Sequence, residues 1–153
     1  MKKLFFGLMA VVSVVCLTLA VSSCGNDDDD DTEKVEVSWE VNYYGDSNIP
    51  DEVKKERDAV VKQIDERAME IFGKTFKLEA AKGSIGPSSE AKRASYDRFE
   101  KDGKISSCLN QMREINKKYG KNYITEVEFC IYYGDYLVGS NTIRTSVELK
   151  AVQ

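Results

Sequence analysis

The chain of 153 residues contains no histidine. This absence removes the commonest general base and the commonest transition-metal ligand of proteins. Serine and cysteine nucleophiles also lose their usual activating partner. Histidine-dependent catalysis is therefore excluded, and we predict no metal site and no cofactor.

The chain also lacks an excess of basic residues. It has 22 lysines and arginines against 26 aspartates and glutamates, a net charge of −4. Binding to nucleic acid needs a basic face that neutralises phosphates. We therefore do not expect nucleic acid as a partner.

Long apolar runs are almost absent, and the sequence contains one, from Leu4 to Val21. As a helix it would span roughly 27 Å, the lower limit for crossing a bilayer. Lys2 and Lys3 precede it and the next charges are aspartates, whereas a stop-transfer helix is normally followed by lysine or arginine. These flanks are typical of a cleaved signal peptide.

The end of this run, Val21-Ser22-Ser23-Cys24, resembles the lipobox of bacterial lipoproteins, although valine stands where leucine is more usual. The resemblance implies that residues 1–23 are removed and that the Cys24 thiol receives a diacylglyceryl group. Each buried methylene of an acyl chain contributes about 0.8 kcal/mol to membrane attachment. We expect the protein to be held on a membrane through acylated Cys24.

Five adjacent carboxylates follow the predicted lipidation site. Their mutual repulsion predicts an extended, solvated tether. The run also resembles the export tag of surface-exposed lipoproteins in one phylum of Gram-negative bacteria, which implies an outer-membrane protein facing the exterior. The predicted tag consists of Asp27, Asp28, Asp29, Asp30 and Asp31.

We predict three segments in the chain: the signal peptide 1–23, the acylated acidic tether 24–33, and one α+β domain over 34–153. The 130 residues that remain after cleavage suit a single domain. Outside the signal and the aspartate run the charges nearly cancel and are interspersed.

Hydrophobic periodicity predicts the elements of the domain. A period of two indicates three strands, a period near 3.6 indicates two helices, and Gly103 breaks the second helix. The expected fold is a three-stranded antiparallel sheet in the order β-α-α-β-β with helices on one face, and with the second strand in the centre. Weak alternation of Phe76, Leu78 and Ala80 also permits a short edge strand. The predicted strands are 35–44, 123–133 and 142–150, and the predicted helices are 50–72, 88–101 and 104–119.

The facing of the strands follows from their alternation. Odd-numbered residues, among them Trp39 and Phe129, are apolar and should contact the helices. A two-residue turn at Gly134-Asp135 would pair odd residues with even ones unless a bulge intervenes. We therefore expect a loop of odd length, either 134–136 or, preferably, 139–141 with a bulge near Gly134.

The opposite face of the sheet carries the candidate binding residues. Tyrosine is enriched at interfaces and also stacks on sugar rings, although strand propensity alone favours it. The predicted binding face comprises Tyr44, Tyr132, Glu128 and Arg144. Two carboxylates would suffice for a glycosidase, and the candidates on this face are Glu36, Glu40, Glu126, Glu128 and Glu148.

Two cysteines remain besides the predicted lipidation site, Cys108 and Cys130, and an even number in an oxidising compartment permits a disulfide. Their facing argues against it, because Cys108 neighbours the apolar side of its helix and Cys130 has the parity of the solvated face. Two free, partly buried thiols are the preferred expectation.

The sequence leaves three functions open. The first is a lipoprotein binding module that takes a glycan or joins an outer-membrane complex, favoured by a flat tyrosine-rich face. The second is a carboxylate enzyme acting on glycans or cell wall, which needs a cleft lined by two of the glutamates. The third is an inhibitor or immunity-type protein, which a protruding loop at 83–88 or 134–141 would favour.

Overall fold

The computed structural model describes residues 31–149, which form one antiparallel sheet with three helices packed on one of its faces. The α+β class predicted from the sequence is confirmed. Within residues 31–149, no helix has the length and apolar character needed to cross a membrane. The elements are β1 (Thr32–Gly45), α1 (Asp51–Phe72), β2 (Thr75–Ala81), α2 (Ser89–Glu100), α3 (Gly103–Lys118), β3 (Ile124–Tyr133) and β4 (Tyr136–Arg144).

The sheet has four strands in the order β2-β1-β3-β4, so the predicted three-stranded sheet and its strand order are wrong. The additional strand, β2, pairs with the first half of β1 and makes β1 an inner strand. Its signal in the sequence is weak because it lies at the edge, where Ala80 is buried while Phe76 and Leu78 are only half-buried. β3 lies between β1 and β4, and every neighbouring pair is antiparallel.

The predicted facing of the strands is confirmed by the register. Odd residues of β1 pair with odd residues of β3, and odd residues of β3 up to Ile131 pair with odd residues of β4, as in Trp39 with Ile131 and Val127 with Ile143. The Phe129 side chain is 1% exposed and its ring stacks on that of Phe99, with centroids 4.7 Å apart. Trp39 packs against the core and donates from Nε1 to the carbonyl of Gly73 at 2.6 Å.

The β3–β4 hairpin differs from both predicted loops. Its turn is the two-residue Gly134-Asp135, and β4 begins at Tyr136 and ends at Arg144 rather than spanning 142–150. The register shifts by one residue within the hairpin. Ile131 pairs with Gly139 whereas Tyr132 pairs with Leu137, so Val138 has no partner on β3 and is the extra residue of a bulge. Without the bulge, a two-residue turn would place the odd-numbered residues of β4 opposite the even-numbered residues of β3. The bulge brings odd-numbered residues of the two strands back onto the same face of the sheet.

The predicted break in the second helix is confirmed, and it separates α2 from α3. Lys101 ends α2, and Asp102 caps α3 by accepting hydrogen bonds from the backbone N–H groups of Lys104 and Ile105. Gly103 is the first residue of α3. Because a side chain satisfies the first amides of α3, the chain starts a new helix here instead of kinking one.

Buried Asn116, on α3, joins the helix layer to the sheet. Its amide donates to the carbonyls of Ile124 and Thr145 at 2.6 and 3.1 Å, and its side-chain oxygen accepts from the Ile124 amide at 3.1 Å. These bonds satisfy backbone groups that are buried beyond the reach of water. They fix the start of β3 and the end of β4 against α3.

Candidate functional site

Among the described residues no helix covers one face of the sheet, and we call this face the outer face. It consists of the even-numbered residues of β1 and β3 together with their partners on β2 and β4. The side chains at its centre are polar or aromatic. In the described chain they include Glu40, Asn42, Tyr44, Glu126, Glu128, Cys130, Tyr132, Ser140, Thr142 and Arg144.

Two tyrosine–glutamate hydrogen bonds cross this face between β1 and β3. The Tyr44 hydroxyl donates to Oε2 of Glu128 at 2.8 Å, and the Tyr132 hydroxyl donates to Oε2 of Glu40 at 3.1 Å. Both bonds raise the pKa of the tyrosine concerned, because a phenol that donates to a carboxylate resists losing its proton. The two phenols are therefore neutral and held in fixed orientations.

Cys130 lies between these pairs, with its side chain 1% exposed. The Asn42 amide donates to its Sγ at 3.6 Å. Burial, and next the nearby charge of Glu128, raise the pKa of the thiol to about 11. Since the thiolate is the nucleophilic form, Cys130 packs under the tyrosines as a protonated thiol and is not a reactive group.

Glu128 remains a carboxylate in this surrounding. Hydrogen bonds from Ser140 and then Tyr44 lower its pKa. The outer face therefore presents carboxylates whose acceptor positions are partly occupied by neighbouring hydroxyls. Such groups bind hydrogen-bond donors, and the lowered pKa of Glu128 suits that residue poorly to act as a general acid.

The structure places all four predicted binding residues on the outer face. It joins Tyr44 directly to Glu128, whereas Tyr132 contacts Glu40. Arg144 pairs with Glu126 across β3 and β4 in the register. Its backbone carbonyl accepts from Arg113. Tyr44 is 47% exposed, which leaves its ring accessible to a partner.

The candidate catalytic carboxylates line none of five clefts found in residues 31–149. These clefts have volumes of 130 to 560 Å³ and are lined by other side chains. Within the same residues, no group of three or more histidine, cysteine, aspartate or glutamate side chains could hold a metal ion.

Cys108 and Cys130 are both free and buried. Cys108 belongs to the core between helices and sheet, whereas Cys130 contacts Asn42 on the outer face. Burial raises the pKa of the Cys108 thiol. The sheet separates the two sulfurs.

Two loops that the sequence offered as protruding elements lie together at one end of the sheet. The loop over residues 82–88 returns toward β4, and a Cβ added to Gly86 would meet Cγ1 of Val138 at 3.2 Å. Gly86 adopts φ +94°, which glycine tolerates and other residues rarely do. The 82–88 loop therefore lies beside the first residues of β4, and we call this loop together with the 134–135 turn the loop end.

The predicted lipidation site Cys24 and the tag residues Asp27 to Asp30 lie outside the described residues. Asp31 is described, and its carbonyl accepts a hydrogen bond from the Lys82 amide at 2.7 Å. β1 already begins at Thr32, within the segment that the sequence assigned to the tether. The chain therefore enters the domain beside the first residue of the loop end.

Two buried or half-buried polar groups were missed by the sequence analysis. Asn116 follows Met112 by one helical turn on the apolar face of α3, so a polar residue within that stripe was the available signal. Arg67 donates two hydrogen bonds to Asp102 at 3.1 and 2.7 Å, a contact between α1 and the start of α3 that no local pattern indicates. The capping role of Asp102 could have been recognised, because an aspartate directly before a helix is a common N-cap.

The chain matches no protein-family model, no curated protein and no solved structure.

Proposed function

We propose that the protein is a lipoprotein, anchored in the outer membrane through Cys24 and facing the exterior, whose domain is a binding module. Its ligand surface is the outer face. The observation that carries this proposal is the uncovered sheet face, on which two tyrosine–glutamate pairs hold aromatic rings and carboxylates in fixed positions.

The composition of the outer face indicates the kind of ligand. The exposed ring of Tyr44 and the half-buried ring of Tyr132, beside carboxylates and an arginine, suit a hydroxyl-rich glycan or the polar surface of an outer-membrane protein complex. Because Tyr44 and Tyr132 are already oriented by their hydrogen bonds, binding costs less side-chain entropy than it would with free side chains. This preorganisation favours recognition as the role of the face.

The two alternative functions have less support. A carboxylate enzyme needs two glutamates in a cleft, and the described clefts are lined by other residues. An inhibitor would use the loop end, but that end is where the chain enters from the predicted tether. In an anchored protein the residues next to Asp31 lie nearest the anchor, which disfavours them as a surface for an external enzyme.

The anchoring part of the proposal is tested by the mass of the protein extracted from membranes. We expect a chain that begins at Cys24 and carries diacylglyceryl and acyl mass. A chain that still begins at Met1, or one without acyl mass, would contradict the lipoprotein assignment and leave the outer face to be tested separately.

The binding part is tested by photo-cross-linking on intact cells. A cross-linking side chain is placed at Tyr44 or Arg144 on the outer face, and at Glu66 of α1 as a control, whose side chain is 62% exposed. We expect one defined adduct, with glycan or protein, from the outer-face positions and none from position 66. Equal adducts from both faces would show that the outer face is not the ligand surface.

A further inference from the structure

The strand β2 forms one edge of the sheet, and its free side is open among the described residues. In an antiparallel strand the amide and the carbonyl of one residue point toward the same neighbour. The Lys82 amide, just past β2, donates to the Asp31 carbonyl beside β1. The Glu79 carbonyl accepts instead from the Ser88 amide, which lies outside the sheet. The odd-numbered residues of β2 therefore direct their backbone groups away from β1.

Lys77 lies at the middle of this open edge. Among residues 31–149, no hydrogen bond from outside the strand reaches its amide or its carbonyl. The amide of Glu79 points the same way, one step along the strand. Backbone amides and carbonyls are strong hydrogen-bonding groups. The edge thus offers two donors and one acceptor to a further strand.

A cleft of about 560 Å³ adjoins this edge, between β2 and α2. Phe76 and Leu78 of β2 are half-buried along it, and the ring of buried Phe72 lies against that of Phe76, with centroids 4.9 Å apart. The lining residues on α2 are mostly small. They include Ala91, Ala94 and Ser95. Because Phe76 and Leu78 are two residues apart, alternate side chains of an added strand would enter the cleft beside them.

The charges of the cleft are unevenly placed. Its charged residues are Lys34, Lys77, Arg98, Glu79 and Glu90. The two glutamates lie where α2 begins, whereas Arg98 lies in the last turn of α2, with its guanidinium 5.4 Å from the centroid of the Phe72 ring. The ion pairs found within residues 31–149 involve other cations. Lys77 and Arg98 are therefore available to a carboxylate from outside the domain.

The other edge strand is more closed. Two carbonyls of β4, those of Val138 and Arg144, accept hydrogen bonds from the side chains of Lys92 and Arg113. The five clefts of the described residues include no residue of β4 in their lining. Of the two edges, β2 is thus the one at which an open strand and an apolar cleft coincide.

We propose that the β2–α2 cleft binds an extended segment of a partner protein, which adds to β2 as an antiparallel fifth strand. A carboxylate of this segment lies opposite Lys77, and the apolar side chains on either side of it enter the cleft beside Phe76 and Leu78. Opposite charges on directly paired residues stabilise neighbouring strands. In strand addition, main-chain hydrogen bonds give affinity and pockets for alternate side chains give specificity. The proposal does not rest on the lipidation of Cys24 or on a ligand at the outer face.

A second copy of the chain fits this edge less well. In an antiparallel pair of two β2 strands centred on Lys77, the two lysines would lie directly opposite each other, and like charges destabilise such a pair. Lysine within an edge strand is one of the devices by which proteins prevent edge-to-edge association. A partner with a carboxylate at this position removes the repulsion.

The test measures the binding of synthetic peptides to the full, isotope-labelled chain by the shifts of its amide resonances. The first peptide, Ser-Asn-Thr-Val-Glu-Val-Thr-Asn-Ser, has one glutamate between two valines, and the second has lysine in place of the glutamate. The third carries a methyl group on the glutamate amide, which removes the donor to the Lys77 carbonyl. We expect shifts at residues 75–79 and 90–98 and none at residues 54–63. The lysine peptide should bind about fivefold more weakly, and the methylated peptide should not bind.

Two protein variants test the charge and the cleft separately. Lys77→Glu should reverse the preference between the glutamate and lysine peptides, an effect that a merely structural role of Lys77 would not produce. Ala94→Phe places a ring in the cleft and should abolish binding. Ala59→Phe, at another exposed alanine that lines a different cleft, should bind as the wild type does. All three substitutions alter exposed residues, and thermal unfolding verifies that the fold is kept.

Three outcomes would overturn the proposal. The first is that the glutamate peptide does not bind to the wild type. The second is that binding survives methylation of the peptide or the Ala94→Phe substitution. The third is self-association of the chain that Ala94→Phe abolishes, which would make a second copy the occupant of the cleft.

Discussion

Asp102 combines two interactions in one carboxylate. It caps α3, and it accepts two hydrogen bonds from Arg67 of α1 while its own side chain is only 15% exposed. The Arg67 guanidinium, with the cap amides, lowers the pKa of Asp102 to about 2 despite partial burial. A single residue thus fixes both the start of α3 and its position against α1.

Asp102 should make stability depend on pH in the acid range. Its pKa is lower in the folded chain than the ordinary value near 3.9, so its contribution is present above pH ~4 and is lost as the pH falls toward 2. The full contribution is on the order of 2 kcal/mol. Urea unfolding at pH 6 and at pH 2.5, for the wild type and Asp102→Asn, measures it.

The expected result is a gap in unfolding free energy between wild type and Asp102→Asn that narrows as the pH falls. The asparagine keeps a cap acceptor but neither titrates in this range nor pairs with Arg67 as an anion. Other carboxylates titrate in both proteins and cancel in the difference. A gap that stays constant with pH would contradict the role assigned to the Asp102 charge.

Phe129 and Glu128 are neighbours in sequence with opposite surroundings. Phe129→Ala should cost about 3–5 kcal/mol, because its ring contacts those of Phe99, Phe72 and Trp39 in the core. Glu128→Ala removes an exposed hydrogen bond to Tyr44 and should cost about 0.5–1 kcal/mol. Chemical denaturation of both variants checks the difference, and similar midpoints would mean that the facing of β3 is wrong.

At the scale of elements, two glycines near the ends of a strand and a helix differ in whether a Cβ atom would fit at their position. A Cβ at Gly45 would overlap the carbonyl oxygen of Tyr123, where β1 meets the start of β3, whereas one at Gly103 meets no atom within 4 Å. Gly103 was the residue to which the sequence assigned the helix break. The structure assigns the break to the cap at Asp102 instead.

Substituting alanine at each glycine separates these roles. Gly45→Ala should destabilise the domain by more than about 2 kcal/mol, because backbone must move to relieve the overlap. Gly103→Ala should be neutral or stabilise by about 0.5 kcal/mol, since alanine restricts the unfolded chain more than glycine does. Thermal unfolding of the two variants decides, and a large loss for Gly103→Ala would show that the break needs glycine.

The sequence alone was sufficient to predict the helices and strands whose hydrophobic periodicity is strong. α1 ends at the predicted residue and begins one residue after the predicted start at Pro50, and the odd-numbered faces of β1 and β3 are turned to the core as expected. The edge strand β2 was not predicted as part of the sheet, because an edge strand buries too few side chains to produce a clear alternation of apolar and polar residues. The loop of the β3–β4 hairpin was predicted wrongly because the bulge at Val138 shifts the residue pairing by one. Which residue bulges depends on packing across the sheet.

The candidate site was predictable as a face but not as a set of contacts. Alternation placed Tyr44, Tyr132, Glu128 and Arg144 on the uncovered side. The partners of the tyrosines lie on the neighbouring strand, more than 80 residues away in the chain. Such contacts follow from register, and a local pattern carries no information about them.

At the scale of the whole molecule, the aspartate run and the domain should be separable. Replacing Asp27–Asp31 with alanine should leave the thermal stability nearly unchanged, because a solvated acidic run contributes little packing. If the run is an export tag, surface exposure should fall. Protease shaving of intact cells compares the two proteins, and equal accessibility would leave the run only the role of a tether.

The position of β1 has a mechanical consequence. The strand that receives the tether pairs with β2 from Thr32 through Ser38 and with β3 from Ser38 through Gly45. Ladder hydrogen bonds run perpendicular to the strands, so a pull on the chain before Thr32 acts along β1 and loads many bonds in shear at once. An edge strand pulled sideways would instead unzip bond by bond. If the protein is anchored through Cys24 as proposed, force between the domain and the anchor would therefore pass through the strand best placed to withstand it.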